Sequence, residues 1–147
     1  MARESRGANR PENRDACRRR HAYFRPSGTV DNAMPVADIP EIGLGTYQNT
    51  DPEVCARSVT TALNVGYRHI DTAELYDNEA AVGRGLAEAA VDRDAVYIAT
   101  KIDSRNLGYD AVLDHARACR DRLGVDVIDL LYVHWPIRTY DATETIP

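Results

Sequence analysis

Val96-Tyr97-Ile98-Ala99-Thr100-Lys101 is an apolar run of strand length that ends on an ammonium. Runs of this kind read as strands buried on both faces. Lys101 is the only lysine among the 18 basic residues; all the others are arginines. Arginine keeps its proton at any ordinary pH, whereas lysine is a compact charge that burial and neighbours can tune. Two more strand-like runs end on ionisable groups, Tyr67-Arg68-His69-Ile70 on Asp71 and Leu130-Leu131-Tyr132-Val133 on His134. An acid, an amine and an imidazole are thus delivered by successive strands to what the pattern makes a common rim.

The segments between these runs carry helical patterns. Thr50-Asp51-Pro52-Glu53 reads as a capping box with Thr50 at the cap and Pro52 in the first turn. Val59, Ala62 and Leu63 follow as an apolar stripe, and Gly66 ends the helix. Asn78 is placed to cap a second helix with Val82, Leu86 and Ala89 on one side. A third, from about Asp110 to Leu123, turns Val112, Leu113, Ala116 and Cys119 inward and stops at Gly124. Ahead of them, Ile42-Gly43-Leu44-Gly45-Thr46-Tyr47 predicts a first strand ending in a tight turn.

Strand and helix alternate four times, which is the pattern of parallel βα units with right-handed crossovers. A doubly wound sheet and a (β/α)8 barrel both use it, and both place chemistry at the carboxyl ends of strands. The doubly wound sheet calls for G-x-G-x-x-G after its first strand, and Gly43-Leu44-Gly45 continues instead as Thr46-Tyr47. The expectation for residues 34–147 is therefore an α/β fold, the N-terminal half (four βα units) of a (β/α)8 TIM barrel.

Composition narrows the partners. The formal net charge is −5, but residues 1–33 are net basic and residues 34–147 strongly acidic. An acidic, aspartate-rich body does not suit a phosphate backbone, so no nucleic-acid partner is expected. Cys17, Cys55 and Cys119 have neither disulfide-framework nor zinc spacing, which makes the cytoplasm the default compartment. No apolar run approaches the ~20 residues that span a bilayer, so no membrane partner is expected. Residues 1–33, rich in Arg, Asn, Pro and Gly, read as a disordered extension or as translated upstream sequence before a start at Met34. A basic arm is the alternative reading of the same stretch.

Gly66-Tyr67-Arg68-His69-Ile70-Asp71-Thr72-Ala73-Glu74-Leu75-Tyr76-Asp77-Asn78-Glu79-Ala80-Ala81-Val82-Gly83 resembles the signature segment of the aldo-keto reductases. Thr100-Lys101 and His134-Trp135-Pro136 stand where that family carries its other catalytic groups, and Gly43–Tyr47 resembles its first-strand turn. The resemblance covers about residues 38–140. It implies a (β/α)8 barrel that uses NADPH, or less often NADH, to reduce a small carbonyl substrate.

The resemblance assigns a catalytic tetrad to Asp71, Tyr76, Lys101 and His134. Carbonyl reduction adds hydride to carbon and a proton to oxygen, so donors must face the oxygen as it becomes alkoxide-like. Tyr76 would be the general acid, and a cation beside a phenol favours its ionised form. Lys101 would be that cation and Asp71 its partner. His134 would be the second donor to the carbonyl oxygen. Gly45 and Thr46, with Asp71, would lie along the cofactor, and Tyr47 and Trp135 would wall the substrate. No metal is required, because hydride comes from the cofactor. His69 and Asp71 form an H-x-D pair that could suggest a metal hydrolase, but no further ligand stands near them in sequence, and His69 reads as an interior histidine. His115 reads as exposed, and Cys55 and Cys119 as packing residues.

Barrels of this type run to ~250 residues, so the sequence holds half of one. Weakened cofactor binding and self-association through exposed half-barrel edges are expected of such a chain. Two other readings remain: an inactive half-barrel, and a non-catalytic cofactor-binding regulatory subunit of the same fold.

Overall fold

The computed structural model describes residues 39–145. The expectations for residues 1–33 and for a start at Met34 lie outside them. Four strands, β1 (Leu44–Gly45), β2 (His69–Asp71), β3 (Tyr97–Ile102) and β4 (Leu130–Val133), form one sheet in the order of the chain. Every adjacent pair is parallel. The connections contain helices α1 (Pro52–Asn64), α2 (Glu79–Glu88) and α3 (Tyr109–Leu123), with short 3-10 turns at Glu74–Tyr76 and Arg93–Ala95. The strand order never reverses, as it would at the switch point of a doubly wound sheet. Helix α2 packs between α1 and α3. This is the N-terminal part of a (β/α)8 barrel.

The helix-facing side of the sheet is the core. Cys55, Val59 and Leu63 recur every fourth residue on α1 and meet Ile70, Val82, Ile98 and Leu123. A smaller cluster joins Ile102 and Leu107 to Cys119 of α3. Helices α1 and α2 approach closely because Gly85 has no side chain. A Cβ there would stand 2.5 Å from the Ala56 carbonyl oxygen and 2.7 Å from Val59 Cβ. Gly124 closes α3 in the left-handed region at φ 64°, where its N–H bonds back to the last turn.

Three local details differ from the sequence pattern. Asp51, not Thr50, caps α1: its Oδ1 accepts from the amides of Glu53 at 2.9 Å and Val54 at 3.0 Å. Asn78 occupies the cap position of α2, but its side chain makes no cap bond and turns toward the loop after β1. Strand β1 is only two residues long, although the Thr46 amide extends the ladder to the Asp71 carbonyl at 3.0 Å. With one neighbouring strand among the described residues, only that short stretch finds partners, and Ile42 and Tyr47 are left exposed.

Candidate active site

Asp71 is the last residue of β2, Lys101 the penultimate residue of β3, and His134 follows β4 directly. Register pairs Asp71 with Ala99, so Lys101, two residues on, shares its face. Lys101 Nζ donates to Asp71 Oδ1 at 2.5 Å and to the Thr72 carbonyl at 2.8 Å. Both side chains keep some access to solvent, 16% for Lys101 and 33% for Asp71. The ammonium lies 5.3 Å from the centre of the Tyr76 ring. Tyr76 itself sits on the turn Glu74–Tyr76, which the residues after β2 wind into a single 3-10 turn. Asp71, Tyr76, Lys101 and His134 therefore come together at the carboxyl end of the sheet.

Above this group runs a row of rings. Tyr47 lies 5.2 Å from Tyr76, Tyr76 meets His134 edge-on at 5.6 Å, and His134 stacks on Trp135 at 6.0 Å. Tyr47 and Trp135 are mostly exposed. Burial first, and then the Lys101 ammonium, push the His134 imidazole below its ordinary value, against the opposite pull of Asp103 and Asp71. The ring is therefore neutral near pH 7. Its Nδ1 is buried and has no partner among the described residues. A buried N–H without an acceptor is costly, so the proton belongs on Nε2, and that nitrogen becomes a donor.

Behind the rings lies a buried polar scaffold whose pairings the sequence pattern did not show. Thr46 Oγ1 donates to Thr72 Oγ1 at 2.9 Å, and Thr72 Oγ1 donates to Asn78 Oδ1 at 3.0 Å. Asn78 Nδ2 in turn donates to the carbonyls of Thr46 at 2.9 Å and Asn49 at 3.2 Å. All three side chains are buried, and buried polar groups need such partners. The network fixes the Tyr47 loop against the end of β2. On the other face of β3, Thr100 Oγ1 donates to Glu79 Oε1 at 2.6 Å, and Arg122 holds Glu79 Oε2 at the same distance. His115, which the pattern left exposed, instead pairs with Glu74. The signal for these contacts was weak: polar residues inside an otherwise apolar stripe.

His69 packs its ring edge-on against Tyr97 at 5.4 Å, and its buried Nε2 has no partner among the described residues. Among those residues no three His, Cys, Asp or Glu side chains converge as metal ligands, and no helix is long and apolar enough to cross a membrane. Cys55 and Cys119 are buried, unpaired thiols. Burial, reinforced by Glu79, pushes Cys119 up to about 12. At the rim of the site, Gly45 has open space where a Cβ would stand. The Thr46 hydroxyl is engaged with Thr72, its amide with the Asp71 carbonyl, and its carbonyl with Asn78 and the Asn49 amide, so its polar groups are already partnered within the fold.

The whole segment from residue 41 to 147 matches the aldo/keto reductase family. An aldo-keto reductase of Mycobacterium sp. (strain KMS) is 50% identical over 99 residues, covering 67% of this chain and 36% of that protein. Methylglyoxal reductase DkgB of Salmonella typhi is 48% identical over 98 residues, with the same coverage of each. Among solved structures, a putative 2,5-diketo-D-gluconic acid reductase B superposes with a TM-score of 0.69 at 34% identity, covering 74% of this chain and 38% of the other. The Bombyx mori aldo-keto reductase AKR2E4, solved in complex with NADP, gives a TM-score of 0.65 at 38% identity, covering 69% and 36%. The chain thus spans a little over a third of the length of these relatives. A parallel sheet in chain order, four polar groups gathered at its carboxyl end and this degree of likeness lead to one assignment: the chain belongs to the aldo/keto reductase family.

Proposed function

We propose that residues 34–147 carry the catalytic groups of an NADPH-dependent reductase of small aldehydes or ketones, with NADH as the alternative cofactor. The observation that carries this reading is the Lys101 ammonium, tied to Asp71 and standing 5.3 Å from the centre of the Tyr76 ring. A nicotinamide cofactor, when bound, supplies the hydride that none of these side chains can supply. Tyr76 donates the proton to the carbonyl oxygen as negative charge builds there, and a well-placed acid contributes ~10²–10⁴-fold. Lys101 offsets the charge left on the phenol oxygen, and Asp71 holds Lys101 in place. His134 donates from Nε2 to the same carbonyl oxygen and orients it. Tyr47 and Trp135 wall the substrate, while Gly45, Thr46 and Asp71 border the cofactor. NADP in the Bombyx mori relative supports the preference for NADPH. The two buried, unpaired thiols support a cytoplasmic setting.

The test follows NADPH consumption with methylglyoxal, the substrate in the name of the Salmonella typhi relative. It compares the chain with residues 34–147 grafted onto the remainder of a homologous reductase. The graft should turn over, and the chain alone should turn over more slowly. Turnover in the graft that Tyr76→Phe leaves undiminished rules out Tyr76 as the acid.

The same proposal includes self-association. Among the described residues β1 and β4 each have one strand neighbour, and unpaired strand edges invite pairing. An apolar groove of about 360 Å³ beside β4 is lined by Leu107, Val112, Leu113, Leu131 and Val133. Sedimentation velocity should show dimers that grow with concentration. A monomer at every concentration removes this part.

A further inference from the structure

We propose that Glu74 is a positioning residue: its carboxylate clamps the turn that carries Tyr76 to the loop following β3, and through that loop to the one that carries Trp135. The proposal rests on Tyr76 being the acid. The Glu74–Tyr76 turn contains no buried residue, and Leu75 is half exposed, so apart from the contacts of the Tyr76 ring with Tyr47 and His134 no apolar anchor holds it. Glu74 is the side chain of that turn that reaches into the protein, with 13% of its surface accessible. Its Oε2 accepts from the Asp103 amide at 2.9 Å, and both oxygens face Asn106 Nδ2 at 3.3 Å. His115 Nδ1 of α3 closes on Oε1. Arg122 Nη2 stands at 3.9 Å from Oε1, beyond a hydrogen bond. Burial alone would raise the carboxyl, but the Asp103 amide, His115 and Asn106 together hold it below the usual range.

The loop that receives this carboxylate is itself fixed. Asp103 Oδ1 accepts from the Arg105 amide at 2.9 Å, and the Asn106 amide closes on the Asp103 carbonyl at 2.9 Å. Its next link leads to the loop after β4. Thr139 Oγ1 donates to the Ser104 carbonyl at 3.0 Å and accepts from the Leu107 amide at 2.9 Å. Residues 103–107 bear on the group around Lys101 through the pull of Asp103 on His134, and they join the loop of the acid to the loop of the substrate wall. Reacting groups displaced by ~1 Å lose on the order of 10²-fold in rate, so the clamp bears on the position of the phenol.

Three variants test this in the full chain and in the grafted enzyme. Glu74→Ala should lower kcat about 10- to 100-fold while NADPH affinity stays within about twofold. His115→Leu should lose less, and His115→Gln, whose amide can still donate to Glu74, should restore it. A purely structural Glu74 would lower the folded fraction and leave kcat per folded molecule unchanged, which overturns the proposal. Amide exchange gives a readout independent of turnover. The Tyr76 amide bonds to the Ala73 carbonyl and the Asp77 amide to the Glu74 carbonyl. Both should exchange about tenfold faster or more in Glu74→Ala and in His115→Leu, with α1 unchanged. Unaltered exchange there overturns the clamp even if activity is lost. A wild-type graft that reduces no carbonyl defeats the functional reading instead and leaves the exchange result to decide the clamp.

Discussion

Thr100 and Lys101 are neighbours on β3 and face opposite ways, so one strand carries two charged clusters of different character. On the sheet's open side, Lys101 and Asp71 form a pair with 16% and 33% of their side-chain surfaces accessible. On the helix side, Thr100 reaches Glu79, whose side chain is 1% accessible and whose second oxygen is held by Arg122. An open pair has a weak grip in water but leaves a cation where a ligand can meet it. A closed pair is sensitive to the loss of either partner, because a buried charge left alone is costly. The difference separates reactivity from scaffolding across a single peptide bond: the open cluster should govern rate and the closed one stability.

The largest effect that would break this division lies on the open side. Tyr76→Phe in the grafted enzyme should lower kcat by about 10²–10⁴-fold with the melting temperature nearly unchanged. Lys101→Met should follow it closely, because the phenol would lose its cation. Steady-state kinetics beside thermal unfolding check both. A variant that melted early but kept its turnover would assign Tyr76 to the scaffold.

Next comes the closed side. Glu79→Ala removes the acceptor of Thr100 and Arg122, and breaking a fully buried pair costs ~3–5 kcal/mol. Arg122 is 39% accessible, which puts the expected loss near the lower figure, about 3 kcal/mol. Urea unfolding measures it, and kcat per folded molecule should hold within a few-fold. Thr100→Val, which keeps the shape and loses one hydrogen bond to a charged group, should cost less, about 1.5–3 kcal/mol. If Thr100→Val removed turnover as fully as Tyr76→Phe, the two faces of β3 would not be separable.

The unequal legibility of these clusters has a physical reason. The open one was readable because three short apolar runs each end on an ionisable residue, and alternation along a strand assigns their faces. Helices α1 to α3 were readable from apolar stripes and glycine stops, within a few residues at each end. The closed cluster depends on a pair far apart in the chain, Glu79 with Arg122, as the clamp does on Glu74 with His115, and no local periodicity encodes such partners. Asn78 illustrates the limit. Its position before α2 predicts a cap, yet the oxygen that would cap, Oδ1, accepts from the Thr72 hydroxyl instead, while its amide donates to the Thr46 and Asn49 carbonyls. Thr50 lost the α1 cap to Asp51 because Asp51 is the residue with extended backbone whose carboxylate reaches two free amides. The same chain of dependence shortened β1, since strand length at a sheet edge is set by what the neighbour offers.

The smallest effect concerns pH and again divides the faces. His134 belongs to the open cluster, and its pKa is lowered in the fold, first by burial and then by Lys101. A base with a depressed folded value binds fewer protons folded than unfolded. Its contribution to stability is therefore present above the ordinary histidine value and is lost as pH falls through the folded value. Stability of the wild type should decline on acidification below about pH 6.5, before the carboxylates protonate. His134→Gln should flatten that part of the curve while leaving the lower-pH decline that Glu74 and Asp103 cause, since both are held below their usual range. Urea unfolding at a series of pH values measures both slopes. If His134→Gln left the upper slope untouched, the imidazole would not be the group that resists charging, and the neutral Nε2 donor assigned to it would have to be given up.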